Sequence, residues 1–111
     1  MKYIQCPVSD SSLDGYTFEE GVIVCKQVVL REEGFPYENE KGESVLDPDC
    51  VQAHLAGYHC LSGAQKTSRN LTSEVVNVKI DLSKGNLYDQ CIEAAYALKY
   101  SDDEKATLKT A

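Results

Sequence analysis

The chain has 111 residues, 42% of them hydrophobic and 26% charged, with a formal net charge of −7. A chain of this size and composition buries a core of its own without metals or disulfides; wholesale disorder is excluded, and no apolar run reaches the length of a transmembrane helix. The acidic balance argues against a basic nucleic-acid-binding face.

With no apolar h-region after Met1, the sequence is expected to be cytoplasmic, which for a viral protein means the host cytoplasm or the virion. The five cysteines are odd in number and form no Cys-x-x-Cys, so they read as free thiols. Cys25 and Cys91 lie within apolar patterns and read as small buried hydrophobes.

In chain order, residues 2–6 predict a short strand that Pro7 ends or places at an edge. Residues 9–15 read as a polar loop closing on the turn dipeptide Asp14-Gly15. Residues 16–19 predict a second short strand, and Glu20-Gly21 a tight turn. Residues 22–31 predict a strong strand, with Val22, Val24, Val28 and Leu30 on one face and Ile23, Cys25 and Val29 on the other. Apolar residues on both faces fit a central strand or one covered by a partner, and Lys26-Gln27 fits a bulge.

Residues 32–45 read as a long acidic loop around Phe35-Pro36-Tyr37. Asp47 then reads as the cap of a helix with Pro48 at its first position, Val51, Leu55 and Tyr58 as its apolar stripe, and Gly57 near its end. Residues 61–73 read as a polar connection. Residues 74–82 alternate cleanly, with Val76, Val78, Ile80 and Leu82 on one face of a strand. Ser83 to Gly85 break the pattern, Asn86 caps a helix with Asp89 in its first turn, and Leu87, Cys91, Ala94, Ala95 and Leu98 follow at helical spacing. Ser101 and Glu104 read as a capping box, so residues 101–111 are expected to be a loose helix or a disordered tail. The expectation is one α+β domain over residues 1–100, a small, mainly antiparallel sheet with two helices packed on one face.

Cys50, His54, His59 and Cys60 are the one set of donor types that suits zinc or a thiol nucleophile. On a helix, Cys50 and His54 would share a side, and the dipole would lower the thiol pKa. Against this, His59 and Cys60 are adjacent, no paired knuckle exists, and Asp47 and Asp49 oppose a thiolate. No cofactor is expected and no catalytic signature occurs.

The charge is uneven: seven acids between residues 31 and 49 face only Arg31 and Lys41. Glu32, Glu33, Glu38, Glu40 and Glu43, with Phe35 and Tyr37 as aromatic anchors, form the candidate partner-binding set. The alternative is a solvated loop in which Phe35 and Tyr37 plug their own core. The functional expectation is a non-enzymatic module docking on a basic surface of a larger machine, the general profile of small acidic inhibitors and adaptors encoded by phages. The alternatives are a structural subunit of a symmetric assembly such as a virion, self-associating through 22–31, and a metal- or cysteine-dependent protein using Cys50 and His54. Neither direct nucleic-acid binding nor membrane binding is expected.

Overall fold

Val76 and Val78 are buried while Val75 and Lys79 are exposed, and this alternation marks one wall of the core. The computed structural model describes residues 1–10, 15–66 and 69–111. Among them the strands are β1 (Lys2–Gln5), β2 (Val8–Asp10), β3 (Tyr16–Phe18), β4 (Val22–Val29), β5 (Phe35–Glu38), β6 (Ser44–Asp47), β7 (Cys50–Tyr58), β8 (Thr72–Lys79) and β9 (Thr107–Thr110). The helices are α1 (Leu61–Gln65) and α2 (Leu87–Ala95), the second running on into a π-helical turn (Tyr96–Tyr100).

Five strands form an antiparallel sheet in the order β8-β7-β4-β1-β9. Two small hairpins, β2-β3 and β5-β6, stand beside it. The fold is thus α+β, with a mainly antiparallel sheet and two helices. The helices take opposite faces of the sheet rather than the one face expected, because the segment read as the first helix is a strand and α1 comes instead from residues beyond it. Ile4, Ile23, Leu55, Val76 and Val78 point to one face, where Cys91, Ile92 and Ala95 of α2 complete the core. Tyr3, Val22, Val24, Ala56 and Tyr58 point to the other, where Ala64 of α1 covers one end.

β4 is the central strand, with β1 on one side and β7 on the other, and both faces are covered over Val22–Val24. The expected bulge is present, because its register with β7 shifts between Cys25 and Gln27. Within residues 22–31, Lys26 and Gln27 at the bulge and Leu30 and Arg31 beyond the strand's end are exposed.

Several expectations are corrected. The helix read from Asp47 onwards is β7. Asp47 Oδ1 does accept from the Asp49 N–H at 2.9 Å, but this closes a tight turn between β6 and β7. The same bond from a side chain to a backbone N–H two residues on serves both turns and helix caps, so the signal is degenerate. The apolar spacing misled because β7 is buried on both faces, leaving little alternation to read.

The long loop after residue 32 is the β5-β6 hairpin, paired from Phe35↔Asp47 to Glu38↔Ser44. Gly34 at its base has φ +78, and a Cβ there would sit 1.7 Å from the Asp47 carbonyl oxygen. Only glycine fits both conditions.

Residues 101–111 are not a loose tail. Ser101 Oγ donates back to the Ala97 carbonyl at 3.0 Å rather than capping a new helix. Ala106 is buried, and β9 pairs along the whole of β1. A four-residue strand is too short to show a period, and its partner lies about a hundred residues away in sequence. Residues 61–73, read as a connection, hold α1 and the start of β8. Asp14 of the expected Asp14-Gly15 turn lies outside the described residues.

The strand-turn-helix unit is held by Gln90. Its side chain accepts from the Asp81 N–H and donates to the carbonyls of Asp81 and Gly85, at 2.9, 2.9 and 2.7 Å. Asn86 precedes α2 in the left-handed region and makes no side-chain cap, while Asp89 accepts from the Lys2 backbone N–H at 2.9 Å. Leu82, placed by alternation on the buried face, is exposed beyond the end of β8.

Candidate partner-binding site

The acids of residues 31–49 are sorted by the hairpin into two groups. Glu38, Glu40 and Glu43 cluster at its tip, whereas Glu32 and Glu33 sit at its base. Four residues of strand, about 14 Å, separate them. The tip is a built structure. Asn39 Oδ1 accepts from the N–H groups of Lys41 and Glu43 at 2.9 and 3.0 Å, and Gly42 supplies a positive φ of 77. These bonds fix the backbone that carries the three exposed glutamates. The Asn39-to-Gly42 spacing was the available sequence signal for this turn.

Phe35 is 3% exposed and lies beneath the Arg31 guanidinium, 4.6 Å from its ring. It therefore plugs the protein's own core, the second of the two roles expected for it. Tyr37 is half-buried and remains at the surface.

The hairpin lies over the far end of β7 and β8, on the face that α1 also partly covers. Asn77 Nδ2 donates to the Pro36 carbonyl at 3.1 Å, and Lys79 Nζ pairs with Asp47 Oδ2 at 3.0 Å. The Asp49 backbone N–H, followed by Lys79, holds the Asp47 carboxyl below its ordinary range. Between the hairpin and the end of α2 lies an open groove of about 360 Å³, lined by Pro36, Tyr37, Glu38, Asn39, Asn77 and Leu98. It crosses the outer edge of β8, the eight-residue strand that ends the sheet on this side. Leu98 is 58% exposed there, and Val75, also exposed, lies two residues along the same face from Asn77. Sequence reasoning missed Asn77 and Leu98, because Leu98 was counted in the helix's buried stripe.

Cys50, His54, His59 and Cys60 are strung along and just beyond one strand instead of facing one another from a helix. Cys50 and His54 share a face of β7, about 13 Å apart. Cys50 is 1% exposed under β5, and burial first, then the Asp47 charge, pushes its thiol up. The helix dipole expected to activate it is absent. His54 bonds Gln52 at 2.9 Å. His59 stacks near Phe18, at 5.9 Å between ring centres, and Cys60 bonds the Ser62 hydroxyl at 3.1 Å. Among the described residues, no three His, Cys, Asp or Glu side chains are grouped to hold a metal ion, and no helix is long and apolar enough to cross a membrane.

A second cleft lies at the other end of β8. Glu74 accepts from Lys99 Nζ and from the Tyr100 hydroxyl, each at 2.5 Å. Burial pushes the Glu74 carboxyl up, but these two hydrogen bonds and the Lys99 charge outweigh it and leave the group below its ordinary value. The neighbouring Cys6 thiol is pushed up to about 11 by burial and by the Asp103 charge. Both acidic partners here are already engaged or solvated, so the cleft reads as a seam between the π-helical turn and the sheet.

No family model, curated protein or solved structure matches this chain.

Proposed function

We propose that this protein is a small, non-enzymatic protein-binding module that takes a basic, extended segment of a partner along the open edge of β8, beside the acidic hairpin tip. The observation that carries the reading is the placement of Glu38, Glu40 and Glu43 on a rigid tip next to an unpaired strand edge flanked by Tyr37 and Leu98. An exposed edge offers a row of free backbone groups to an incoming strand, and pockets beside it select alternate side chains. The glutamates would steer a basic segment into that register. Such a module acts as an inhibitor or adaptor, of the kind phages encode, occupying a basic surface of a larger machine in the cytoplasm.

The test is nuclear magnetic resonance titration with a peptide alternating lysine and threonine, with a glutamate-threonine peptide as control. The expected result is that the basic peptide alone shifts residues 38–43, Asn77 and Leu98, and adds hydrogen-exchange protection along β8. Shifts without protection of β8, or equal response to both peptides, would reject this reading.

A further inference from the structure

The sheet ends in two free edges, and their backbone groups and charges complement each other. β8 and β9 are its outermost strands, and because every step between them is antiparallel, they run in the same direction. The Ile80 N–H bonds the Asp49 carbonyl, so in β8 the even-numbered residues face β7, while Val75, Asn77 and Lys79 turn their backbone groups outward. The side chains of these three lie on the face that carries the hairpin, where Asn77 bonds Pro36. In β9 the Ala111 N–H bonds the Met1 carbonyl, so the odd-numbered residues face β1, while Leu108 and Thr110 turn their backbone groups outward. Leu108 packs on the α2 face, which leaves the exposed Lys109 on the hairpin face.

We propose that the occupant of the β8 edge is a second copy of this chain, whose β9 adds to β8 in parallel, so that repetition of the contact builds a head-to-tail assembly. Such pairing rests on the reading of β8 as a strand-accepting edge, and makes a basic segment of another protein its competitor. In a parallel pair, a residue on one strand bonds the two residues that flank its neighbour on the other. Asn77 lying beside Lys109 of the second copy therefore bonds that copy's Leu108 and Thr110, and both faces of the sheet run on unbroken. Lys109 then stands on the hairpin face, towards the glutamates of the tip. Leu108 stands on the opposite face, from which the exposed Leu98 flanks the edge.

Two-fold pairings are disfavoured by charge. β9 against β9, in the register that uses the outward groups of both Leu108 and Thr110, sets Lys109 opposite Lys109. β8 against β8 brings two acidic tips to one face. Like charges opposite each other across a strand pair are unfavourable, and a lysine on a short edge strand is an ordinary guard against such pairing. A contact between two different edges propagates to a ring or a filament. Each copy carries a net charge of −7, so the association is weak and concentration-dependent.

Sedimentation velocity from micromolar to near-millimolar protein reads the assembly. The expected result is a mass that rises with concentration past the dimer and returns to monomer when the lysine-threonine peptide is added. Thr110→Pro removes an outward N–H and none of the bonds to β1, so it should keep the melting temperature and lose every species above monomer. Lys109→Glu should lose them as well. Mixing it with a protein carrying Glu38→Lys, Glu40→Lys and Glu43→Lys should restore association, because opposite charges then meet at every contact. Should Thr110→Pro unfold, the charge-reversed pair decides alone. A protein that stays monomeric throughout, a mass that stops at the dimer, or variants that associate as the parent does would overturn the proposal. If the monomer still gains β8 protection from the peptide, only the choice of partner fails. If the peptide leaves β8 unprotected, the reading of the edge fails with it.

Discussion

Asn77 donates its side-chain amide to the Pro36 carbonyl at 3.1 Å, joining the acidic hairpin to the edge strand across a separation of 41 residues. Within the groove beside it, this bond sets where the hairpin tip stands relative to β8. Asn77→Ala should leave the core intact and cost about 1 kcal/mol, the ordinary worth of one such bond. The loss should be local, seen as faster hydrogen exchange over residues 35–47. Unchanged exchange there would mean that the Lys79–Asp47 pair and Phe35 hold the hairpin by themselves.

Replacing Glu38, Glu40 and Glu43 together by Gln should slow association with the lysine-threonine peptide and flatten its salt dependence. Exposed charges act on encounter and are screened beyond about 8 Å at physiological salt. The melting temperature should barely move, since all three are exposed. Surface plasmon resonance at two salt concentrations reads the result, and identical association rates would remove the steering role.

Phe35 and Tyr37 should fail in different ways. Phe35→Ala removes a ring that is nearly fully buried and should destabilise the fold by about 3 kcal/mol, measured by urea denaturation. Tyr37→Ala should leave stability within about 0.5 kcal/mol and speed peptide dissociation by an amount equivalent to about 2 kcal/mol if it is a binding anchor. Equal destabilisation by the two would place Tyr37 in the core as well.

Ile80→Asp should prevent folding or lower the melting temperature steeply. Ile80 is buried in the cluster that joins the sheet to α2, and an unpaired charge there costs several kcal/mol. A melting temperature within a degree or two of the parent would contradict that placement.

Glu74 should contribute to the acid limb of stability. Its folded carboxyl lies below the ordinary value of 4.5, so its contribution is full above that pH and is lost as pH falls through the lower folded value. Glu74→Gln should therefore lower stability at neutral pH and make it less pH-dependent below about 4.5. Thermal melts of both proteins between neutral and acidic pH test this. Parallel curves would show that the Lys99 and Tyr100 contacts carry no net weight.

The segment from Glu74 to Tyr100 was legible because its strand is buried on one face and its helix is amphipathic, so the period of each survives in the sequence. The same logic found β4, its bulge and its two apolar faces. The acids of residues 31–49 were visible as composition, but their division between tip and base was not. It depends on a hairpin whose turn is made by Asn39 side-chain bonds.

Local sequence left three decisions to the tertiary structure. β7 is covered on both faces and preceded by Asp47-Pro48, so its local pattern fits a capped helix as well as a strand; pairing with β4 and β8 decides it. β9 has no period of its own and exists because β1 has an edge to fill. Cys50 and His54 keep the same spacing in either structure, yet a helix would bring them together and a strand holds them apart. Residue type and spacing thus determined which groups are present and the class of fold. Long-range pairing, which no local window contains, determined which of those groups meet.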